Sequence, residues 1–180
     1  FSDLSDMEAD LGGDDLLLVM AAEHALPFVV NQARALRSRR LADESPLDIG
    51  AGVVIARPAF PFHRLHALAE ELASSAKRLA RGKGGCGRSV VDWMVVTQSA
   101  VRGIAVHRQA SELVRYKVSG SKEALLMTAK PYFVLPSSSN PEVAPADTLE
   151  GLLELAQMLR DGRNRAARSQ RKSLPDLMRT

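Results

Sequence analysis

Between residues 16 and 97, three short apolar runs alternate with two longer stretches of helical periodicity, and this order constrains the fold more than any other feature. Leu16-Leu17-Leu18-Val19-Met20 is too short for a helix, follows a Gly-Asp turn and precedes polar residues, so it reads as a buried strand. Across residues 23–39, Leu26, Val29, Val30, Ala33 and Leu36 recur at helical spacing, with Pro27 tolerable only within the first turn. Gly52-Val53-Val54-Ile55-Ala56 centres a second strand over residues 50–57, closed by Pro58 and Pro61. Leu65, Leu68, Leu72, Ala76 and Leu79 then mark a helix over residues 62–81, with Gly82 where that helix would end. A glycine-rich connection over residues 82–87 leads to a third strand over residues 89–97, with Trp93 as a core residue. Strand, helix, strand, helix, strand, with each helix long enough to cover a sheet face, specifies a mixed α/β layer and not a bundle.

Downstream the pattern weakens. Residues 125–128 suit a short strand, and Pro131-Tyr132 and the proline-bounded residues 136–141 mark a turn and an exposed linker. Asp147-Thr148-Leu149-Glu150 has the spacing of a capping box, and Leu149, Leu152, Leu153, Ala156 and Leu159 form a helical stripe that stops before Gly162. Beyond it, only Leu174, Leu177 and Met178 interrupt a basic segment, too little apolar surface for a helix without a partner.

With 180 residues, 46% hydrophobic and 25% charged, the chain can bury one core and is not compositionally disordered. Its apolar runs fall well short of the ~18 residues of a membrane span. Residues 1–6 are acidic and lack the basic start of a signal peptide. Cys86 has no second cysteine with which to form a disulfide or a metal pair, which fits a reducing cytoplasm and reads as a loop thiol. Charge is unevenly spread: residues 1–15 carry six acids and no Lys or Arg, while residues 160–180 carry seven bases against two acids. Acid in front suits a metal and base behind suits a polyanion, although both also suit a solvated surface.

The chemically specific element is Gly12-Gly13-Asp14-Asp15. Two glycines allow a tight turn, and two adjacent carboxylates at its tip can hold a hard divalent cation against a phosphate. Neighbouring side chains on a strand point to opposite faces, which favours Asp14 as the first ligand if strand geometry persists through the turn. Without a metal the adjacent carboxylates repel, and the same composition also suits a plain polar turn. His63 and His66, three residues apart without a third ligand, read as packing or surface. The loop over residues 82–87 lacks the lysine-serine ending of a phosphate loop and reads as a connection.

Taken with their order and spacing, four stretches resemble the large subunit of type III CRISPR effector complexes, the Cmr and Csm large-subunit family. They are Gly12-Gly13-Asp14-Asp15 with the strand after it, Gly52-Val53-Val54-Ile55-Ala56 leading to Phe60-Pro61, Ala76-Lys77, and Lys130-Pro131-Tyr132. The resemblance covers nearly the whole chain. It implies an α/β (α+β) ferredoxin-like nucleotidyl-cyclase and polymerase-like palm over residues 1–105, lacking its first strand and helix. A connecting region over residues 106–145 and the start of a helical domain over residues 146–180 would follow.

The implied activity is cytoplasmic synthesis of cyclic oligoadenylate from ATP on target-RNA binding, in antiviral defence. The implied partners are the other subunits of a CRISPR ribonucleoprotein and, through it, guide and target RNA, with no membrane. Asp14 and Asp15 would be catalytic and would bind Mg²⁺ or Mn²⁺; Gly12, Gly13 and Lys77 would contact the nucleotide, Lys77 at a phosphate. Lys77 is otherwise a surface lysine favoured by a helix C-terminus, and the basic tail either meets RNA or a neighbouring subunit or is salt-bridged surface. The implied fragment alone would bind metal weakly and make no product, its remaining metal ligand lying on an upstream strand.

Two other readings share these residues. One is a GGDEF-type diguanylate cyclase using GTP, against which stand Asp15-Leu16 in place of an acid followed by Phe, and the lack of any Arg before Arg34. The other is a non-catalytic palm serving as scaffold in an RNA-guided complex.

Overall fold

The structure is a computed structural model that describes residues 8–12, 15–44, 46–82, 87–96, 103–111, 116–117, 124–125, 128–136 and 147–160. The elements run β1 (Glu8–Gly12), β2 (Asp15–Val19), α1 (Ala22–Arg37), β3 (Gly50–Ile55), α2 (Phe62–Ala80), β4 (Val90–Val95), α3 (Ile104–Ser111), β5 (Tyr116–Lys117), β6 (Ala124–Leu125), β7 (Tyr132–Phe133) and α4 (Leu149–Arg160). The alternation expected from the sequence over residues 16–97 is present, and the described residues form a mixed α+β fold.

Its centre is a three-stranded mixed sheet in the order β3-β4-β7. β3 and β4 run parallel from Gly50 opposite Val90 to Ile55 opposite Val95, and α2 supplies the crossover that a parallel pair requires. β7 pairs antiparallel with the start of β4, at Val90 and Val91. Side chains alternate between the two faces along each strand. On one face, Ala51, Val53, Val91 and Trp93 pack against Val29, Val30 and Ala33 of α1 and Leu149 of α4. On the other, Val54, Met94 and Val96 pack against Leu68 and Leu72 of α2 and Ile104 of α3. The helical stripes read from the sequence therefore cover opposite faces of one small sheet.

β3 approaches α2 closely because Gly52 has no side chain. A Cβ there would collide with the Ala69 carbonyl oxygen and lie 2.5 Å from the Ala73 backbone nitrogen. At the end of the chain, Val134 donates its N–H to the Ser89 carbonyl at 2.9 Å, and Glu150 donates to the Val134 carbonyl at 3.1 Å, stitching the start of α4 to the sheet.

Several expectations are corrected in detail. α1 begins at Ala22 and passes through Pro27, which lies beyond the first turn. Pro27 is exposed, so water can satisfy the carbonyl whose helical partner it removes. The α4 cap is Thr148, whose Oγ1 accepts the Gly151 N–H at 3.2 Å. Glu150, expected to complete a box with Asp147, instead accepts from Arg34 Nη2 at 2.5 Å, tying α4 to α1. The expected strand over residues 125–128 is a two-residue pairing of β6 with β5; Thr128 lies outside it, and residues 126–127 are outside the described set. Trp93 is half-buried, its ring 5.2 Å from that of Tyr132.

The largest departure concerns residues 16–20, expected to form a buried strand. β2 forms, but Leu16 is 52% exposed and Val19 43% exposed. Among the described residues β2 pairs only with β1, not with β3 or β4. One strand of a two-stranded ribbon keeps a free edge and leaves much of its apolar surface uncovered. The sequence pattern called for more cover than these elements supply.

Candidate functional site

β1 and β2 form an antiparallel hairpin in which Glu8 faces Val19 and Gly12 faces Asp15. That register leaves two residues of sequence, Gly13 and Asp14, between the last paired positions. Both lie outside the described residues, as does the assignment of Asp14 as first metal ligand. Asp15, the first residue of β2, is described, and its carboxylate is 79% exposed.

Lys77 stands in the last turn of α2, beside the buried Ser75 and Ala76. Its Nζ lies 3.4 Å from Asp15 Oδ1, with the Lys77 side chain 44% exposed. Two residues to which the resemblance assigns roles, 62 positions apart, are thus brought together by the fold. The Lys77 stem crosses the start of β3, where Gly50 offers no side chain. An ion pair this exposed contributes about 0–1 kcal/mol, too little to explain the arrangement by stability. Its polar ends remain open to solvent and can take a ligand of mixed charge: the ammonium suits a phosphate oxygen and the carboxylate a cation.

Among the described residues no three His, Cys, Asp or Glu side chains gather as a metal cluster. Mg²⁺ keeps several waters and takes as few as one or two protein carboxylates, so the single described carboxylate is compatible with it only as part of such a set. Asp15 is one such carboxylate, exposed and beside a cationic side chain that would offset phosphate charge. His66 Nδ1 lies 3.7 Å from Glu70 on the α2 surface, and His63 is exposed, in keeping with a surface role.

A second polar group sits on the same face of the sheet. Asp92 of β4 is fully buried and accepts a short hydrogen bond from Arg108 Nη2 of α3, whose side chain is 12% exposed. Arg108 Nη1 also lies 3.5 Å from Ser75 Oγ, and Glu71 Oε2 accepts the Ile104 N–H at 3.1 Å. These contacts fasten α3 to α2 and β4. Sequence reasoning did not single them out: Asp92 stands within an apolar strand and Arg108 beyond it, with no motif to link them.

At the start of β4, Arg88 lies 3.6 Å from the centre of the Phe133 ring. Burial, and then the nearby Arg37 charge, push the Arg88 pKa below its usual value. Burial, and then Asp147, push that of Tyr132 upward. An open cleft of about 260 Å³ between α1 and α4 is lined by Pro27, Val30, Asn31, Arg34, Glu150 and Leu153 among others. It lies across the sheet from Lys77 and shares no residue with the Asp15–Lys77 pair.

No protein-family model, curated protein or solved structure matches this chain. No helix among the described residues is long and apolar enough to cross a membrane. The basic segment over residues 161–180, Cys86 and the proline-bounded linker over residues 137–141 lie outside the described residues.

Proposed function

We propose that this chain is part of a nucleotidyl-transferring palm of the type III CRISPR large-subunit kind, joining ATP into cyclic oligoadenylate. The observation that carries the reading is the Asp15–Lys77 pair, 3.4 Å apart and open to solvent at the junction of a Gly-Gly-Asp-Asp hairpin and a helix C-terminus. The β3-α2-β4 unit and the β1-β2 hairpin are compatible with such a palm.

In nucleotidyl transfer a ribose hydroxyl loses its proton to solvent and attacks the α-phosphorus of ATP, the bond from that phosphorus to the oxygen bridging to the β-phosphate breaks, and pyrophosphate departs with those electrons. A divalent cation held by Asp14 and Asp15 would neutralise the charge on the phosphate oxygens. Lys77 binds a non-bridging phosphate oxygen and so orients the leaving group. Its aliphatic stem lies on β3 while its ammonium faces water, which keeps it within reach of a ligand. Asp15 holds that ammonium in place before nucleotide arrives.

The test is incubation of the full-length protein, alone and with the RNA it copurifies with, with labelled ATP or GTP. Cyclic oligoadenylate from ATP is the expected product. A cyclic dinucleotide from GTP would assign a diguanylate cyclase, and no product from either would leave a scaffold palm. Replacing Asp14 and Asp15 together by Ala should lower product formation at least about 100-fold, in keeping with loss of metal-borne charge stabilisation; unchanged product would refute the metal assignment.

A further inference from the structure

We infer that Gly50 is a positioning residue for Lys77: its missing side chain is the space through which the lysine stem reaches the Asp15 carboxylate and any phosphate bound there. A Cβ built on Gly50 would lie 2.5 Å from Lys77 Cγ and 3.4 Å from both the Lys77 Cα and its backbone nitrogen. The first distance is a collision and the other two are at the limit of close contact, so a methyl group would displace the side chain and little else. Cγ moves only when χ1 changes, and in a helix few χ1 wells are open. Lys77 would then leave for another rotamer, carrying its ammonium away from Asp15.

Gly50 is not required by the backbone. It is not among the left-handed glycines, Gly87 and Gly103, so an alanine fits its conformation. Nor is the strand free to yield there: Val90 donates its N–H to the Ile49 carbonyl at 2.8 Å, and Ile49 donates its own to Ser89 Oγ at 3.2 Å. Gly52, two residues on along the same face, is the contrast, because its two nearest neighbours are backbone atoms of α2. A side chain at Gly52 pushes a helix, whereas one at Gly50 pushes a rotamer. The phosphate part of this inference rests on the proposed nucleotide reading; the steric part does not.

The experiment compares wild type, Gly50→Ala, Lys77→Ala and the double variant of the full-length protein by Mg²⁺-ATP affinity and by thermal midpoint. Gly50→Ala should weaken Mg²⁺-ATP about tenfold, the worth of one charge-assisted hydrogen bond, with little change in midpoint. In the Lys77→Ala background, which has no Cγ to strike, it should add nothing. Equal weakening in both backgrounds would overturn the inference, as would weakening by Lys77→Ala but not by Gly50→Ala.

If wild type does not bind Mg²⁺-ATP, the nucleotide reading fails and a ligand-free measurement decides the steric one. The ¹³C signal of reductively dimethylated Lys77, which keeps its charge, should respond to Asp15→Asn in wild type and not in Gly50→Ala. The same response in both would show that Gly50 does not direct Lys77.

Discussion

Two aspartate–cation pairs lie along α2 and differ in almost every physical respect. Asp92–Arg108 is buried, its carboxylate inaccessible and its guanidinium nearly so, and it joins three elements. Asp15–Lys77 is open on both sides and spans a ribbon and a helix end. Buried charges must be compensated within the fold, so the first pair is committed to holding α3 in place. The second has water as an alternative partner and can exchange it for a ligand at small cost. Similar chemistry thus serves as a fastener at one place and as a candidate site at the other, and burial decides which.

The contrast is broken most severely at the buried pair. Arg108→Ala leaves the Asp92 carboxylate without its guanidinium in a dry interior, a loss of about 3–5 kcal/mol. In a domain of this size that lowers the thermal midpoint on the order of 10 °C, read by circular dichroism. A shift as small as that of a surface substitution would mean that water reaches Asp92 and that the two pairs do not differ in kind. Gly52→Ala follows, with an expected loss of about 1–3 kcal/mol as the added methyl meets the α2 backbone. Denaturant unfolding measures it, and a neutral result would show that β3 and α2 can separate freely. Thr148→Ala should cost about 1 kcal/mol through the lost cap on Gly151, also by denaturant unfolding.

Whatever rested on local periodicity was legible in the sequence. The Leu68 and Leu72 stripe specifies α2, and the β-branched runs around Val54 and Val91 specify β3 and β4, because each pattern records which face is buried. What depended on a distant partner was not legible. Glu150 satisfies the spacing rule for a capping box with Asp147, yet an arginine 116 positions earlier draws it away, leaving Thr148 as the cap. β1 was hidden because acids interrupt its short sequence, and α3 because its anchors, Ile104 and Arg108, are too few to make a stripe. The apolar sequence of β2 asked for burial, but its only described strand partner is β1.

At the candidate site, residue chemistry was legible and proximity was not. The aspartate pair was named from its glycine turn and Lys77 from the family resemblance, and the fold adds that Asp15 meets Lys77. Gly50 escaped notice because a glycine at the start of a strand looks like a boundary; only the course of the lysine stem gives it a role.

Asp15–Lys77 is proposed as a ligand site and not a structural contact. This is tested most directly by titrating Mg²⁺-ATP into the full-length protein carrying Lys77→Ala while following its thermal midpoint. The expected result is an affinity lowered at least about tenfold, or 1.4 kcal/mol, with a midpoint within about 2 °C of wild type, because an exposed pair contributes so little to folding. Unchanged affinity with a midpoint lowered as far as in Arg108→Ala would contradict the claim and make both pairs fasteners.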